Sequence, residues 1–276
     1  MLDHLVINTR FQMDVAAALF ERLGFQLTPR GHHSLGSINH LVMFPDHYLE
    51  LIGLPTSGAA LRQEVLDSVV GIDGLVFAID DAPATAARLA REGIDAQPVQ
   101  RFSRPAEIDG ENRTASFETV RLVAGQYPAG RIYYCHHLTP EWVWRDAWLA
   151  HPNGVTSIAS LEVISDDPAA AERDYARLTA RADVSAAPRA ASFHLRFAHR
   201  EAAARRFGPL SVFLPPRPES FASMAFRLAD GASLSALAER GRQAGLPVRH
   251  HPAQDGAGAR LMIALPTFHT LLEFLG

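Results

Sequence analysis

An apolar strand followed by an alanine-rich helix opens this chain, and the same order returns three more times. Leu2–Asn8 (LDHLVIN) is echoed closely by Ile72–Ala78 (IDGLVFA), and further starts lie at Ile158–Ile164 and Ala222–Leu228. A run with helical spacing follows each: Val15–Leu23, Ala82–Glu92, Pro168–Thr179 and Ser233–Ala244. Three of these stop at Gly24, Gly93 or Gly245, as helices that exit through the left-handed region do. After the first helix come strand-like runs at 25–29, 38–44 and 48–54, and after the second at 96–102, 114–122 and 131–138. The last strands, 260–265 and 270–275, end in LLEFLG, which echoes YLELIG at 48–53.

Starts near residues 3, 72, 158 and 222 are spaced too widely for a solenoid. One helix cannot cover the apolar face of a four-stranded sheet, so such units should pair. The sequence therefore predicts an α+β fold of four βαβββ units in two modules. The first spans 1–150 and the second 155–276, with the boundary in the turn-rich stretch 148–156. A surface loop is expected over 181–189.

Composition narrows the chemistry. All 26 basic residues are arginine, which removes Schiff-base chemistry on an internal lysine and the lysine of a phosphate-binding loop. A net charge of −4 argues against a nucleic-acid partner. The single cysteine, Cys135, excludes an internal disulfide and fits a cytoplasmic location. No basic leader and no long apolar window is present, so neither a signal peptide nor a membrane partner is expected. With 13 histidines and no lysine, histidines and carboxylates are the first candidates for chemistry. No GxGxxG, GxxxxGK, GxSxG or HExxH pattern competes with them.

Glu50 stands in the apolar run Tyr48–Ile52, on the face opposite Leu49 and Leu51. A carboxylate there costs several kcal/mol unless it is paired or ligated. Asn39 and His40 sit on the neighbouring strand and point to opposite faces, as do His136 and His137 on a later one. His33 lies in a glycine-flanked loop that could close the mouth of a site. Arg113, Arg121 and Arg131 are candidates to clamp an anion, and Trp142, Trp144 and Trp148 to line an apolar pocket or pack in the core.

The segments LDHLVINT (2–9), FERLGFQLTPRGHHSLGSINHLVMFPDHYLELIG (20–53) and YYCHHLTPEWVWRDAWLAHPNG (133–154) resemble the vicinal oxygen chelate superfamily, in particular the glyoxalase-like domain proteins of bacteria. The resemblance implies paired βαβββ units forming two glyoxalase/dioxygenase-like modules, each curling into a cup. It also implies metal ligands on the first and last strands of each unit of a pair. Carried onto this chain, those places are His4, Glu50, Gly74, which cannot ligate, and His136, with His137 as the alternate. A divalent Fe, Mn, Ni or Zn would suit two histidines and a carboxylate. The implied activity is a metal-dependent lyase, isomerase or extradiol-type dioxygenase on a small oxygenated substrate. Glu50 or His40 would act as base, with His33, Asn39 and Arg121 in the substrate pocket. The alternative is a metal-free protein that sequesters a small molecule. The second half, with Ser160 and Ser223 at the places matching His4, is expected to be degenerate. A monomer or a homodimer satisfies this reading.

Overall fold

The computed structural model describes residues 1–57, 61–108, 110–179, 193–252 and 258–276. The loop expected at 181–189 lies outside these residues. Two compact units emerge, Leu2–Asn153 and Gly154–Gly276.

The first unit contains β1 (Leu2–Arg10), α1 (Met13–Arg22), β2 (Gly31–His32), β3 (Ile38–Met43) and β4 (Tyr48–Gly53). A short helix, α2 (Gln63–Asp67), leads to β5 (Gly71–Ala78), α3 (Ala82–Arg91), β6 (Gln100–Ile108), β7 (Glu111–Arg121) and β8 (Arg131–His137). These are two βαβββ repeats. Their strands form one sheet in the order β2-β3-β4-β1-β5-β8-β7-β6. The two opening strands pair antiparallel at its centre, and each has the last strand of its own repeat parallel beside it. The sheet curls until its ends meet, where the Ser34 N–H donates to the Ser103 carbonyl.

Local chemistry explains the elements. Asp81 caps α3 by accepting from the Ala84 N–H, which satisfies an orphan donor of the first turn. Gly24 and Gly93 follow α1 and α3 at φ +83° and +68°, where a β-carbon would be strained. Residues 25–29 do not form the expected strand. Thr28 bonds Leu41 through its backbone N–H and its hydroxyl, and Pro29 then brings no donor to extend the pairing. On the helix side, Leu5, Ile7, Phe20, Leu49, Leu51, Leu75 and Leu89 are completely buried. The other face is the interior of the curl.

The second unit repeats the scheme with a loss. Its sheet, in the order β10-β9-β11-β14-β13-β12, comes from β9 (Val155–Ile164), α4 (Pro168–Ala176), β10 (His194–Ala198), α5 (Arg200–Phe207), β11 (Ser220–Leu228), α6 (Leu234–Gln243), β12 (Val248–His251), β13 (Arg260–Leu265) and β14 (Thr270–Leu275). Among the described residues the third repeat supplies two strands, β9 and β10, with α5 where further strands would follow. Asp167 and Ser233 cap α4 and α6 as Asp81 caps α3.

Candidate active site

Register decides what enters the first cup. β1 sets His4 beside Tyr48 and Val6 beside Glu50 on β4. Across the centre, Val6 faces Gly74 and His4 faces Val76 on β5, which sets Val76 beside Tyr133 on β8. The pairing has two-fold character: His4 matches Gly74, and Glu50 matches Tyr133. The four inward places are therefore His4, Glu50, Gly74 and Tyr133.

Glu50 is 6% exposed and has three polar neighbours. Asn39 Nδ2 donates to Oε1 at 2.7 Å, His4 Nε2 lies 3.8 Å from Oε2, and His33 Nε2 lies 4.0 Å from Oε1. Burial pushes its pKa up, but His33, His4, the Asn39 amide and Arg62 together bring it below the ordinary value. Burial drives His33 down to about 4, with Glu50 opposing and Arg62 and Arg104 adding to the fall, so its imidazole is neutral at neutral pH. Its Nδ1 pairs with the Ser37 hydroxyl at 2.8 Å, and its Nε2 accepts from Asn39 at 3.3 Å.

One residue arrives inside against the alternation rule. The β1–β5 register slips between Leu2 and His4, and this bulge turns Asp3 toward the same interior as His4. Asp3 Oδ1 sits 2.5 Å from His4 Nδ1, and His137 Nε2 lies 3.1 Å from Oδ2. Burial raises the Asp3 pKa, but the two imidazoles overcome it and hold the carboxyl far below its usual range. His4 thus turns Nδ1 to Asp3, and its Nε2 stands 3.4 Å from the Tyr133 hydroxyl. The imidazole is stacked on Tyr48 at 4.3 Å between ring centroids. Burial keeps both Tyr133 and the Cys135 thiol protonated.

Arginines complete the wall. A cavity of about 30 Å³, room for about two waters, is bounded by His4, His33, Glu50, Arg62, Arg104 and Arg121. Arg62 donates to Glu64 at 2.7 Å, and Arg121 donates to the Gln100 side chain. The Arg104 guanidinium, 9% exposed, has no hydrogen-bond or ion-pair partner among the described residues. Burial lowers its pKa, opposed by Tyr48 and Glu50.

The expected site residues thus divide. His4, Glu50, His33, Asn39 and Arg121 come together. His40 does not: it pairs with Leu51, shares that outer face, and spends its ring nitrogens on the Thr28 carbonyl and Arg30. His136 is also corrected. It stands on the face of β8 opposite Tyr133 and Cys135, half-buried near Glu118, because the place matching Glu50 falls three residues earlier. The alternate His137 does face inward, but toward Asp3. Arg113 is an exposed partner of Glu111, and Arg131 binds Asp73. Trp142, Trp144 and Trp148 pack against the apolar part of the cup, and Trp144 Nε1 donates to the Phe44 carbonyl. Sequence reasoning missed Asp3, Arg62, Arg104 and Tyr133.

In the second unit, the Arg206 guanidinium from α5 donates to both Glu162 and Glu273, and Ser223 Oγ bonds each carboxylate at 3.2 Å. A side-chain cation thus bridges the two carboxylates.

The divalent metal implied by the family can be tested against these donors. Of the four inward places, two carry ligands. A β-carbon at Gly74 would lie 2.7 Å from Val6 Cγ2, so Val6 already occupies the space a ligand there would need. Tyr133 offers a phenol where a carboxylate or an imidazole would stand. Four-strand ligation does not fit this chain. Among the described residues, the group of three donors within 4.8 Å of one another is Asp3, Cys135 and His137.

The glyoxalase-like domain family matches residues 2–179. No match is found among curated proteins. Among solved structures, a hypothetical protein from Staphylococcus aureus aligns with a TM-score of 0.62 at 10% identity, over 99% of this chain and 98% of its own. A triple mutant of 4-hydroxymandelate synthase from Streptomyces coelicolor gives 0.55 at 12% identity, over 99% and 91%. A xylose isomerase-like TIM barrel/4-hydroxyphenylpyruvate dioxygenase fusion protein gives 0.55 at 14%, over 99% of this chain and 48% of the fusion. At these identities the likeness is one of fold. No helix among the described residues is long and apolar enough to cross a membrane.

Proposed function

The chain belongs to the glyoxalase-like domain family, and from that premise we propose that its first module binds a small oxygenated anion and moves a proton on it, with His4 as the base. The reaction class is lyase or isomerase. The observation that carries this reading is Arg104: a buried guanidinium lining the cavity of His4 and Glu50 with no hydrogen-bond or ion-pair partner among the described residues. A buried unpaired cation costs several kcal/mol, and an anionic ligand removes that cost.

The residues divide the work. Asp3 fixes the His4 tautomer and stabilises the imidazolium that forms on proton uptake. Arg104, with Arg62 beside it, holds the ligand's oxygens and the negative charge that develops on them when the C–H bond breaks. The electron pair of that bond moves onto the ligand's oxygen, and the proton goes to Nε2. Tyr133 keeps its proton and donates a hydrogen bond to the ligand, and the imidazolium of His4 returns the proton to carbon, which restores the base. Glu50, held by Asn39, sets the orientation of this group of residues and excludes a second anion.

The test is deuterium incorporation from heavy water into small 2-oxo and 2-hydroxy acids, followed by NMR. Exchange with the native chain and its loss in H4Q support the proposal. Binding without exchange would turn it into the sequestration reading, and no binding at all would end both. A second reading, a divalent cation held by Asp3, Cys135 and His137, is favoured by the closeness of those donors. One equivalent of metal by elemental analysis, lost in C135S, would replace the first reading.

A further inference from the structure

A second, larger cavity of about 380 Å³ lies between α2 and the β7–β8 turn. Glu64, Asp67, Arg131 and Tyr127 line it, and it shares Arg121 and Tyr133 with the inner cavity. Its volume is that of a small-molecule pocket, whereas the inner one admits only the end of a ligand.

Its charge is arranged around one side chain. Glu64 Oε2 lies 2.7 Å from Arg62 and 3.5 Å from Arg121, and Oε1 lies 3.3 Å from Arg131. Arg131 also binds Asp73 at 2.5 Å. Three guanidiniums therefore converge on Glu64; the two in the cavity wall, Arg121 and Arg131, are balanced there by Glu64 and Asp67. Burial acts to raise the Glu64 pKa, but Arg131, Arg62 and Arg121 bring it to about 2. The Arg121 Nε is buried with no hydrogen-bond acceptor. Glu64 itself is about one-third exposed, so its carboxylate can swing into solvent. The backbone of α2 need not follow, because Val65 is fully buried and Asn8 Nδ2 holds its carbonyl at 2.8 Å.

We propose that this cavity is a carboxylate-recognition site in which Glu64 stands in for the acid group of a ligand. An incoming carboxylate displaces Glu64 from Arg121 and Arg131 and gains the charge-assisted bonds that Glu64 gives up. The apolar body of the ligand lies along Leu122, Val123 and Tyr127, and its far end passes Tyr133. The class is an aliphatic or aromatic carboxylic acid a few carbons long. Only the destination of the far end rests on the proposed function of the inner cavity.

Titration calorimetry with butanoate tests this. E64Q removes the internal competitor, so butanoate should bind at least tenfold more tightly than to the native chain. R121Q should abolish binding whichever residue stands at 64, and R113Q, which removes an exposed guanidinium outside both cavities, should leave it unchanged. Equal or weaker binding by E64Q, or undiminished binding by R121Q, would overturn the proposal. If E64Q does not fold, R121Q in the otherwise native chain decides: loss of butanoate binding supports the site and retention refutes it. Absence of deuterium exchange with butanoate binding intact would defeat the proton-transfer reading and leave this one standing.

Discussion

Gly74→Ala tests whether Val6 has taken the space of a ligand. The new β-carbon would meet Val6 Cγ2 at 2.7 Å and Cβ at 2.8 Å, between the two central strands. Val6 is fully buried and β-branched, so it has no easy rotamer by which to retreat. The overlap should cost about 1–3 kcal/mol, partly offset by about 0.5–1 kcal/mol from a stiffer unfolded chain. Val6→Ala alone removes two methyl groups and leaves a void, a loss of about 2–3 kcal/mol. In the double variant the collision with Cγ2 is gone, the added methyl fills part of that void, and only the Cβ contact of 2.8 Å is left for the strands to relieve. V6A/G74A should therefore be more stable than the sum of the single effects by at least about 1 kcal/mol. Urea unfolding, with midpoints compared at constant slope, measures all three. Strict additivity, or a G74A midpoint equal to the native one, would refute the account of how that ligand place was lost.

Arg104→Met should raise the stability of the free protein by about 1–3 kcal/mol, because an unpartnered buried charge is removed. The same change should abolish stabilisation by small oxyanions in thermal melts. His33 takes up its proton near pH 6.5 when unfolded and near 4 when folded, so the unfolded chain binds more protons in between. Stability should then fall as pH drops through that window, by roughly 3 kcal/mol from this residue, and H33Q should flatten the fall above pH 4.5. In the second module, Arg206→Ala leaves Glu162 and Glu273 facing each other and should cost about 2–4 kcal/mol. Adding E162Q should recover part of this, read by chemical denaturation.

The repeats were legible because strand and helix periods are local, and the near copy at 72–78 shows that the pattern recurs. Glu50 was legible because a carboxylate amid leucines demands a reason. Other residues depended on pairing between distant strands. Alternation puts Asp3 opposite His4, and only the slip at Leu2 brings both inside. Which histidine of 136–137 faces the cup depends on where β8 meets β5, and that meeting places Tyr133, with neither histidine, opposite Val76. Arg104 escaped because β6 runs on through Pro105. An edge strand allows this, since a proline there need not donate to a neighbour.

The two modules solve one electrostatic problem in opposite ways. Each keeps a buried carboxylate on the last strand of a repeat, Glu50 or Glu273, and each must place positive charge near it. In the second module the charge is Arg206, which hydrogen-bonds both carboxylates. In the first, Glu50 is held by the neutral amide of Asn39, while Arg104 stands at the same cavity without a bond among the described residues. A saturated ion network gives structure, and an unsaturated one retains free energy that a ligand can release. That difference, more than any single histidine, makes the first cup the place where chemistry is expected.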